Sequence, residues 1–308
     1  MRLPSRRLAR VPRLATPPVS PVLRAFAVLL ALGCRTSAPP ATGDLTDDAG
    51  TRVSLATTPR RIVSLIPATT ELLFALGAGD RLVGRTNWCD YPAAAAQVPD
   101  LGNGIGPNVE AVVAARPDLV LLYKSAANRD AAHRMRSLGI ATLELATDRM
   151  EDFDRIALLL GRALDIAATA ESLVARTTRD LEAASRPAAQ TQRPSIFILA
   201  WDRPTMTLGR GSFLSEIVER AGARNVFDDL PSSSAPISIE AVVARDPDFI
   251  LVSSEGEPEV AGRPEWRTVR AVRERRFLRV RGSEFNRPSP RMPDAVRKLA
   301  GALAAAGR

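Results

Sequence analysis

The chain has 308 residues, a formal net charge of +8, 45% hydrophobic residues and two cysteines. Six arginines and no acid fall among its first 33 residues, so most of the positive charge is local and the rest of the chain is nearly neutral. Arginines recur over 267–281, but acids elsewhere balance them to a net charge near zero, so nucleic-acid binding, which needs a concentrated cationic patch, is not expected.

The arginines precede an apolar run, AFAVLLAL at 25–32, which is too short to cross a bilayer. A basic region, an apolar core and small residues read as a secretory signal peptide over residues 1–33. Cys34 follows LALG, which resembles the lipobox of bacterial lipoproteins; that resemblance implies an acylated Cys34 and a membrane held by lipid anchor. A plain signal peptide cut near Ala38 is the alternative. Residues 34–42 read as a flexible tether. With Cys34 lipidated, Cys89 has no partner in the chain, so no internal disulfide is expected and Cys89 reads as a packing residue.

An N-terminal α/β lobe is expected over 43–148. LTDDAGTRVSL (45–55) reads as a hairpin turning at Asp48-Ala49-Gly50. RIVSLI (61–66) reads as a buried strand ended by Pro67. A helix capped by Thr69 or Thr70 follows, with Leu72, Leu73 and Leu76 on its apolar face and Gly77 and Gly79 closing it. LVGRTN (82–87), LVLLY (119–123) and IATLEL (140–145) read as strands. Two helices, NVEAVVAARPD and ANRDAAHRMRSLG, lie between them. This alternation predicts a parallel sheet with helices on its faces.

Residues 149–187 differ. Asp148 and Glu151 stand at capping-box spacing. Apolar residues then recur at helical spacing through Phe153, Ile156, Leu160 and Leu164, and again through Ala170, Leu173, Val174, Thr177 and Leu181. Asp165 is the expected cap of a second helix, which from 166 forms a rod of roughly 30 Å. A C-terminal α/β lobe is expected over 188–308, with strands at 195–200, 249–254 and 277–280 and a closing helix from SPRMPDAVRKL onward. The fold class is therefore α/β: two lobes, each with a mostly parallel sheet flanked by helices, joined by a rigid backbone helix.

The chain carries one unit twice. VEAVVAARPDLVLL (109–122) and IEAVVARDPDFILV (239–252) are the same helix–strand pattern, and each has a glutamate at its second position. Asn108 and Ser238 are good N-caps, which puts Glu110 and Glu240 in first turns. Complementing the helix dipole is one reason for an acid there.

RIVSLIPATTELLFALGAGDRLVGRT, CDYP, the two repeated units and FNRPSPR occur in an order that resembles the periplasmic substrate-binding proteins of ABC importers. The similarity is to the helical-backbone group that binds cobalamin and iron chelates, and it covers about residues 43–306. It implies that Glu110 and Glu240 dock with the two subunits of a permease dimer. It also implies a monomeric binding protein, exported to the periplasm or cell envelope.

In open α/β sheets, ligands sit beyond the carboxyl ends of the strands. In the first lobe that rule selects Pro67, Thr69, Trp88, Asp90, Tyr91, Gly104, Tyr123 and Lys124. In the second it selects Trp201, Asp202, Arg203, Met206, Ser253, Phe285, Asn286 and Arg287. Aromatic faces with a few polar groups suit a large, partly apolar small molecule. The resemblance implies cobalamin or a related corrinoid, with Tyr91 and Tyr123 facing it. Two tryptophans of the cobalamin binders have no counterpart: one falls in the glycine-rich GNGIGPN, the other near Ser234. A ferric siderophore held by Arg203, Arg287, Arg291 and Lys124 is the alternative, as is haem with a tyrosine on iron, or a ligand-sensing receptor subunit. No cofactor is implied. His133 is the only histidine, so no bare-metal receptor is expected. No G-x-S-x-G, P-loop or H-E-x-x-H motif is present, so the chain does not read as an enzyme.

Overall fold

The computed structural model describes residues 42–185, 193–253 and 257–307. The signal peptide, most of the tether and Cys34 lie outside the described residues.

The predicted hairpin forms from β1 (Thr42–Thr46) and β2 (Arg52–Leu55), which pair antiparallel. The first parallel sheet follows: β3 (Ile62–Ser64), α1 (Pro67–Ala75), β4 (Leu82–Arg85), α2 (Val109–Ala114), β5 (Leu119–Tyr123), α3 (Arg129–Ser137) and β6 (Ala141–Leu145). Its strand order is β4-β3-β5-β6, with every neighbour parallel. The second sheet is built from β7 (Ser195–Leu199), β9 (Arg224–Asn225), β11 (Phe249–Val252) and β12 (Phe277–Arg279), in the order β12-β11-β7-β9, again all parallel. β8 (Met206–Leu208) and β10 (Ser234–Pro236) pair antiparallel as a separate ribbon. They are short and lack alternation, and the sequence signalled neither. The helices of this half are α6 (Phe213–Arg220), α7 (Ile239–Arg245), the short α8 (Arg270–Arg273) and α9 (Met292–Ala306).

Between the sheets lie two helices, α4 (Met150–Ala163) and α5 (Ala167–Ala184). The connector corrects two expected caps. Asp165 is not an N-cap; it holds a left-handed turn at φ 58°, and the residue before α5 is Ile166. At the start of α4 the working acid is Asp152, whose Oδ2 accepts the backbone N–H of Asp148 and of Arg149, both at 2.9 Å. Pro67 likewise opens α1 instead of closing the strand, which suits its fixed φ and missing N–H. Thr69 and Thr70 then fall inside the first turn, and neither caps it.

The side-chain period of two sorts each central strand between two cores. Leu119 and Leu121 of β5, Ile196 and Ile198 of β7, and Phe249 and Leu251 of β11 all enter one large core. That core also takes the stripe of α5 (Ala170, Leu173, Leu181, Ala184) and the apolar faces of α4 and α9. The alternate residues turn outward into two smaller cores. Val120 and Leu122 meet Val112 of α2. Ile250 and Val252 meet Val242 of α7 and a stacked Phe197–Trp266 pair. The repeated unit therefore has one job in both halves: a short helix covers the outer face of its sheet through a single fully buried valine.

The repeat extends into the turn. Arg116 and Asp246 are both left-handed (φ 48° and 36°), and a proline and an aspartate follow each. Asp118 accepts the backbone N–H of Arg60 and Arg61, just before β3, at 2.8 and 3.0 Å. Asp248 accepts the backbone N–H and the hydroxyl of Ser195, at the start of β7, at 2.8 and 2.7 Å. Each aspartate pins the neighbouring parallel strand in register.

Candidate functional site

The carboxyl ends of both parallel sheets open into cavities. The first, of 330 Å³, lies beyond β3, β4 and β5. Pro67, Trp88, Ile105 and Tyr123 form its walls, and Asn286 and Arg287 reach it from the second half of the chain. The second, of 470 Å³, lies beyond β7 and β11 and is lined by Leu199, Trp201, Asp202, Arg203, Ser253 and Glu259, among others.

Two loops shape the first cavity. Where β3 meets α1, Thr69 Oγ1 donates to Ile66 O at 3.0 Å and Thr70 Oγ1 donates to Ser64 Oγ at 2.9 Å, which fixes the tight strand-to-helix corner. The glycine-rich GNGIGPN loop closes against that corner. Gly104 is required there, because a Cβ would lie 2.2 Å from Leu65 O. Asn128 Nδ2 holds the same loop through Gly104 O and also bonds Tyr123 O. Ile105, between the glycines, is 46% exposed and forms part of the wall.

Trp88 and Trp201 are 65% and 64% exposed, one in each cavity. Trp201 is steadied by its Nε1–H, which donates to Arg203 O at 3.0 Å. Each indole stands in a concave site beyond strand ends, the setting in which aromatic side chains line ligand pockets. Tyr123 is half-buried, and its hydroxyl donates to Asp148 Oδ1 at 2.6 Å. Burial first, and then the Asp148 carboxylate, push its pKa well above the usual phenol value, so it stays a neutral donor.

Other candidates lie elsewhere. Thr69 is 1% exposed and committed to the strand-to-helix corner. Phe285 is 2% exposed inside the large core, because the 3-10 turn that carries it packs down onto α6 and α9. Met206 sits in β8 and pairs with Trp201 through backbone hydrogen bonds, so it shapes the turn without lining the cavity. Lys124 is exposed in a different hollow beside Arg129 and Glu144. Tyr91 lines a separate hollow with Glu284, Arg291 and Lys298, where the Arg291 guanidinium lies 4.0 Å from its ring centroid.

The arginines of FNRPSPR are already paired. Glu71 of α1, with a side chain 1% exposed, faces both Arg287 (3.5 Å) and Arg291 (2.5 Å). Arg291 also bonds Glu284 at 2.7 Å, and Lys298 pairs with Glu284. Burial acts to raise the Glu284 pKa, but Lys298, its own backbone N–H and Arg291 outweigh it and hold the carboxyl below its usual range. Arg287 Nη1 further contacts Asp90 Oδ1 at 3.2 Å and donates to Trp88 O at 3.3 Å. In the second cavity Arg203 pairs with Glu259 and Asp202 with Arg263. Neither cavity thus presents an unbalanced cation among the described residues. The sequence named Ile105, Glu257 and Glu259 nowhere as lining residues. An exposed isoleucine between glycines was the one available signal.

Glu110 and Glu240 are exposed at the N-termini of α2 and α7. Asn108 Oδ1 caps α2 by accepting from Glu110 N and Ala111 N, and Ser238 Oγ caps α7 by accepting from Ala241 N. Hydrogen bonds from its own backbone N–H and from Ser238 keep Glu240 below the usual carboxylate range.

The sequence matches the model of a family described as periplasmic binding protein over residues 62–283. It is 30% identical over 264 residues to the uncharacterized ABC transporter substrate-binding lipoprotein YvrC of Bacillus subtilis, covering 82% of this chain and 83% of that protein. Among solved structures, it is similar to the periplasmic heme-binding protein RhuT from Roseiflexus sp. RS-1 in apo form. That match has 25% identity and a TM-score of 0.72, and covers 81% of this chain and 99% of the other. It is also similar to the periplasmic vitamin B12 binding protein BtuF of Vibrio cholerae, with 26% identity, a TM-score of 0.67, and coverage of 82% and 99%.

Proposed function

Starting from the fact that this chain belongs to the periplasmic binding protein family, the substrate-binding components of ABC transporters, we propose that it captures cobalamin or a related corrinoid for delivery to a membrane permease. Members of the family are transport components of the cell envelope and not enzymes. Trp88 and Trp201, one exposed at the strand ends of each sheet, carry the reading. Two aromatic faces suit a broad macrocycle bound between the halves.

Charge balance separates the ligand classes. A ferric siderophore rich in carboxylates or phenolates needs cations facing it. Here Arg287 and Arg291 are engaged by Glu71, Lys124 lies in another hollow, and Arg203 is matched by Glu259. A macrocycle whose edge carries neutral amides needs no such cations; donors and acceptors such as Asn286 and Ser253 suffice. Haem through a tyrosinate would require Tyr123 to give up its 2.6 Å hydrogen bond to Asp148 Oδ1. Lipid attachment at Cys34 would keep the protein at the membrane beside its permease.

The test is titration calorimetry with cyanocobalamin, haemin and a ferric siderophore, alongside the visible spectrum of the protein as purified. Trp88→Ala and Trp201→Ala should each weaken cyanocobalamin binding by roughly tenfold, about the 1–2 kcal/mol of a buried aromatic contact. Tighter binding of haemin or the siderophore would overturn the corrinoid assignment. Cys34→Ser should move the protein from the membrane to the soluble fraction, and unchanged fractionation would remove the anchor.

A further inference from the structure

The loop that carries Trp88 is held from both halves of the chain. Within its own half, Trp88 N donates to Thr86 Oγ1 at 3.2 Å and Asn87 N to Gly102 O at 3.1 Å. Cys89 is buried beneath it at 3% exposure, its Sγ 3.1 Å from Thr70 Oγ1 and 3.3 Å from Thr86 Oγ1. These contacts fix the two ends of a short turn and leave the Trp88 carbonyl and the Asp90 carboxylate pointing toward the second half. Arg287 meets both. Its single Nη1 lies 3.3 Å from Trp88 O, 3.2 Å from Asp90 Oδ1 and 3.5 Å from Glu71 Oε1.

We propose that Arg287 is a positioning residue. From the second half of the chain it clamps the loop that presents Trp88, and so sets the height and orientation of the indole that the ligand covers. The proposal rests on the reading of Trp88 as a ligand contact.

Three features set this contact apart from an ordinary surface ion pair. The Arg287 side chain is only 12% exposed, while the loop it holds projects a tryptophan that is mostly exposed. One of its acceptors is a main-chain carbonyl of the ligand-facing residue itself, so loss of the contact frees the backbone at that residue. Its anchor, Glu71, keeps a second partner in Arg291 when Arg287 is removed, so the junction between the halves is not dismantled with it. An indole held in place before binding spares the ligand the cost of ordering it. A residue that only stabilised the fold would not affect the motion of Trp88.

The experiment uses the full mature chain with Trp201→Phe, which leaves Trp88 exposed and Trp266 buried as the two remaining tryptophans. Iodide quenching and time-resolved anisotropy then report on Trp88 without any ligand. Adding Arg287→Ala should increase its fast anisotropy decay at temperatures well below Tm, with a smaller loss of stability than Glu71→Ala because Glu71 keeps Arg291. Cyanocobalamin affinity should fall about tenfold, the scale of one lost charge-assisted hydrogen bond. Arg287→Lys, whose ammonium supplies three donors from one nitrogen, should restore both readings. Asp90→Asn, which keeps Glu71 paired, should loosen Trp88 partially. Unchanged anisotropy in Arg287→Ala overturns the proposal whatever the ligand turns out to be. Affinity unchanged in Arg287→Ala but lost in Trp88→Ala also overturns it. Affinity unchanged in Trp88→Ala removes the ligand reading instead, and the anisotropy result then decides the clamp by itself.

Discussion

Glu71 shows how a single residue can change meaning between sequence and structure. In PATTELLFALG it looks like an ordinary helix acid, yet its side chain is almost fully buried and faces two arginines more than 200 positions away. Breaking a buried pair from one side strands the opposite charge, which typically costs 3–5 kcal/mol. Glu71→Ala should therefore lower stability by about 3 kcal/mol, read as a drop in the urea midpoint, because Glu284 and Asp90 can only partly compensate. Glu71→Gln, which keeps the shape and one acceptor, should cost less. A Glu71→Ala variant as stable as the wild type would mean that the cluster contributes nothing net. By sequence, Arg287 falls beyond the strand ends, and both Arg287 and Arg291 could serve an anionic siderophore. Their shared partner Glu71 is set by long-range packing, which local spacing cannot reveal, and Arg287 also lines the first cavity.

At the level of elements, the repeated helix–strand unit was legible because each part follows a local rule. An N-cap begins the helix, one buried valine fixes its face, and a left-handed residue before proline ends it. The aspartate after that proline was not legible as a clamp, since the donors it accepts from lie at the start of a strand far away in sequence. Burial acts to raise the Asp248 pKa, but the backbone N–H and hydroxyl of Ser195 and the Arg270 guanidinium more than offset it and hold it below the usual carboxylate value. The sign follows: a carboxyl depressed in the folded state contributes fully above its unfolded pKa, and that contribution fades as pH falls through the folded value. Asp248→Ala should cost about 1–2 kcal/mol at neutral pH, and the difference from wild type should shrink in acid. A pH-independent difference in Tm would show that packing, not the carboxylate, is responsible. The bridge was legible as two helices but not with these caps, because Asp148, Glu151, Asp152 and Asp165 all stand near helix starts and only backbone geometry chooses Asp152.

At the scale of the whole molecule, the duplication sets two exposed glutamates at equivalent places, each in the first turn of a helix on an outer sheet face. A permease with two related subunits offers two related sites. Glu110→Ala and Glu240→Ala, singly and together, should leave Tm and ligand affinity almost unchanged while reducing uptake and ATPase stimulation in reconstituted vesicles. A carboxylate meeting an arginine across an interface can contribute roughly 1.5–7 kcal/mol, so the double variant should be the most impaired. Association should also weaken as salt rises. Full uptake by the double variant would reduce both glutamates to helix-end charges.

The sequence by itself determined the α/β alternation, the parallel strands, the duplicated unit and the place of Trp88 and Trp201 just past strand ends. These depend on periodicity, capping and turn chemistry, which act over a few residues. Only the tertiary structure decided which candidates face a cavity. Tyr91 lies under Arg291 in another hollow, Phe285 is in the large core, Lys124 is in a separate hollow, and Ile105 forms part of the first cavity's wall. The second half of the chain decides Tyr91 through Arg291, while Phe285, Lys124 and Ile105 are placed by neighbours within their own halves; in each case burial and pairing between residues brought together by the fold choose the outcome.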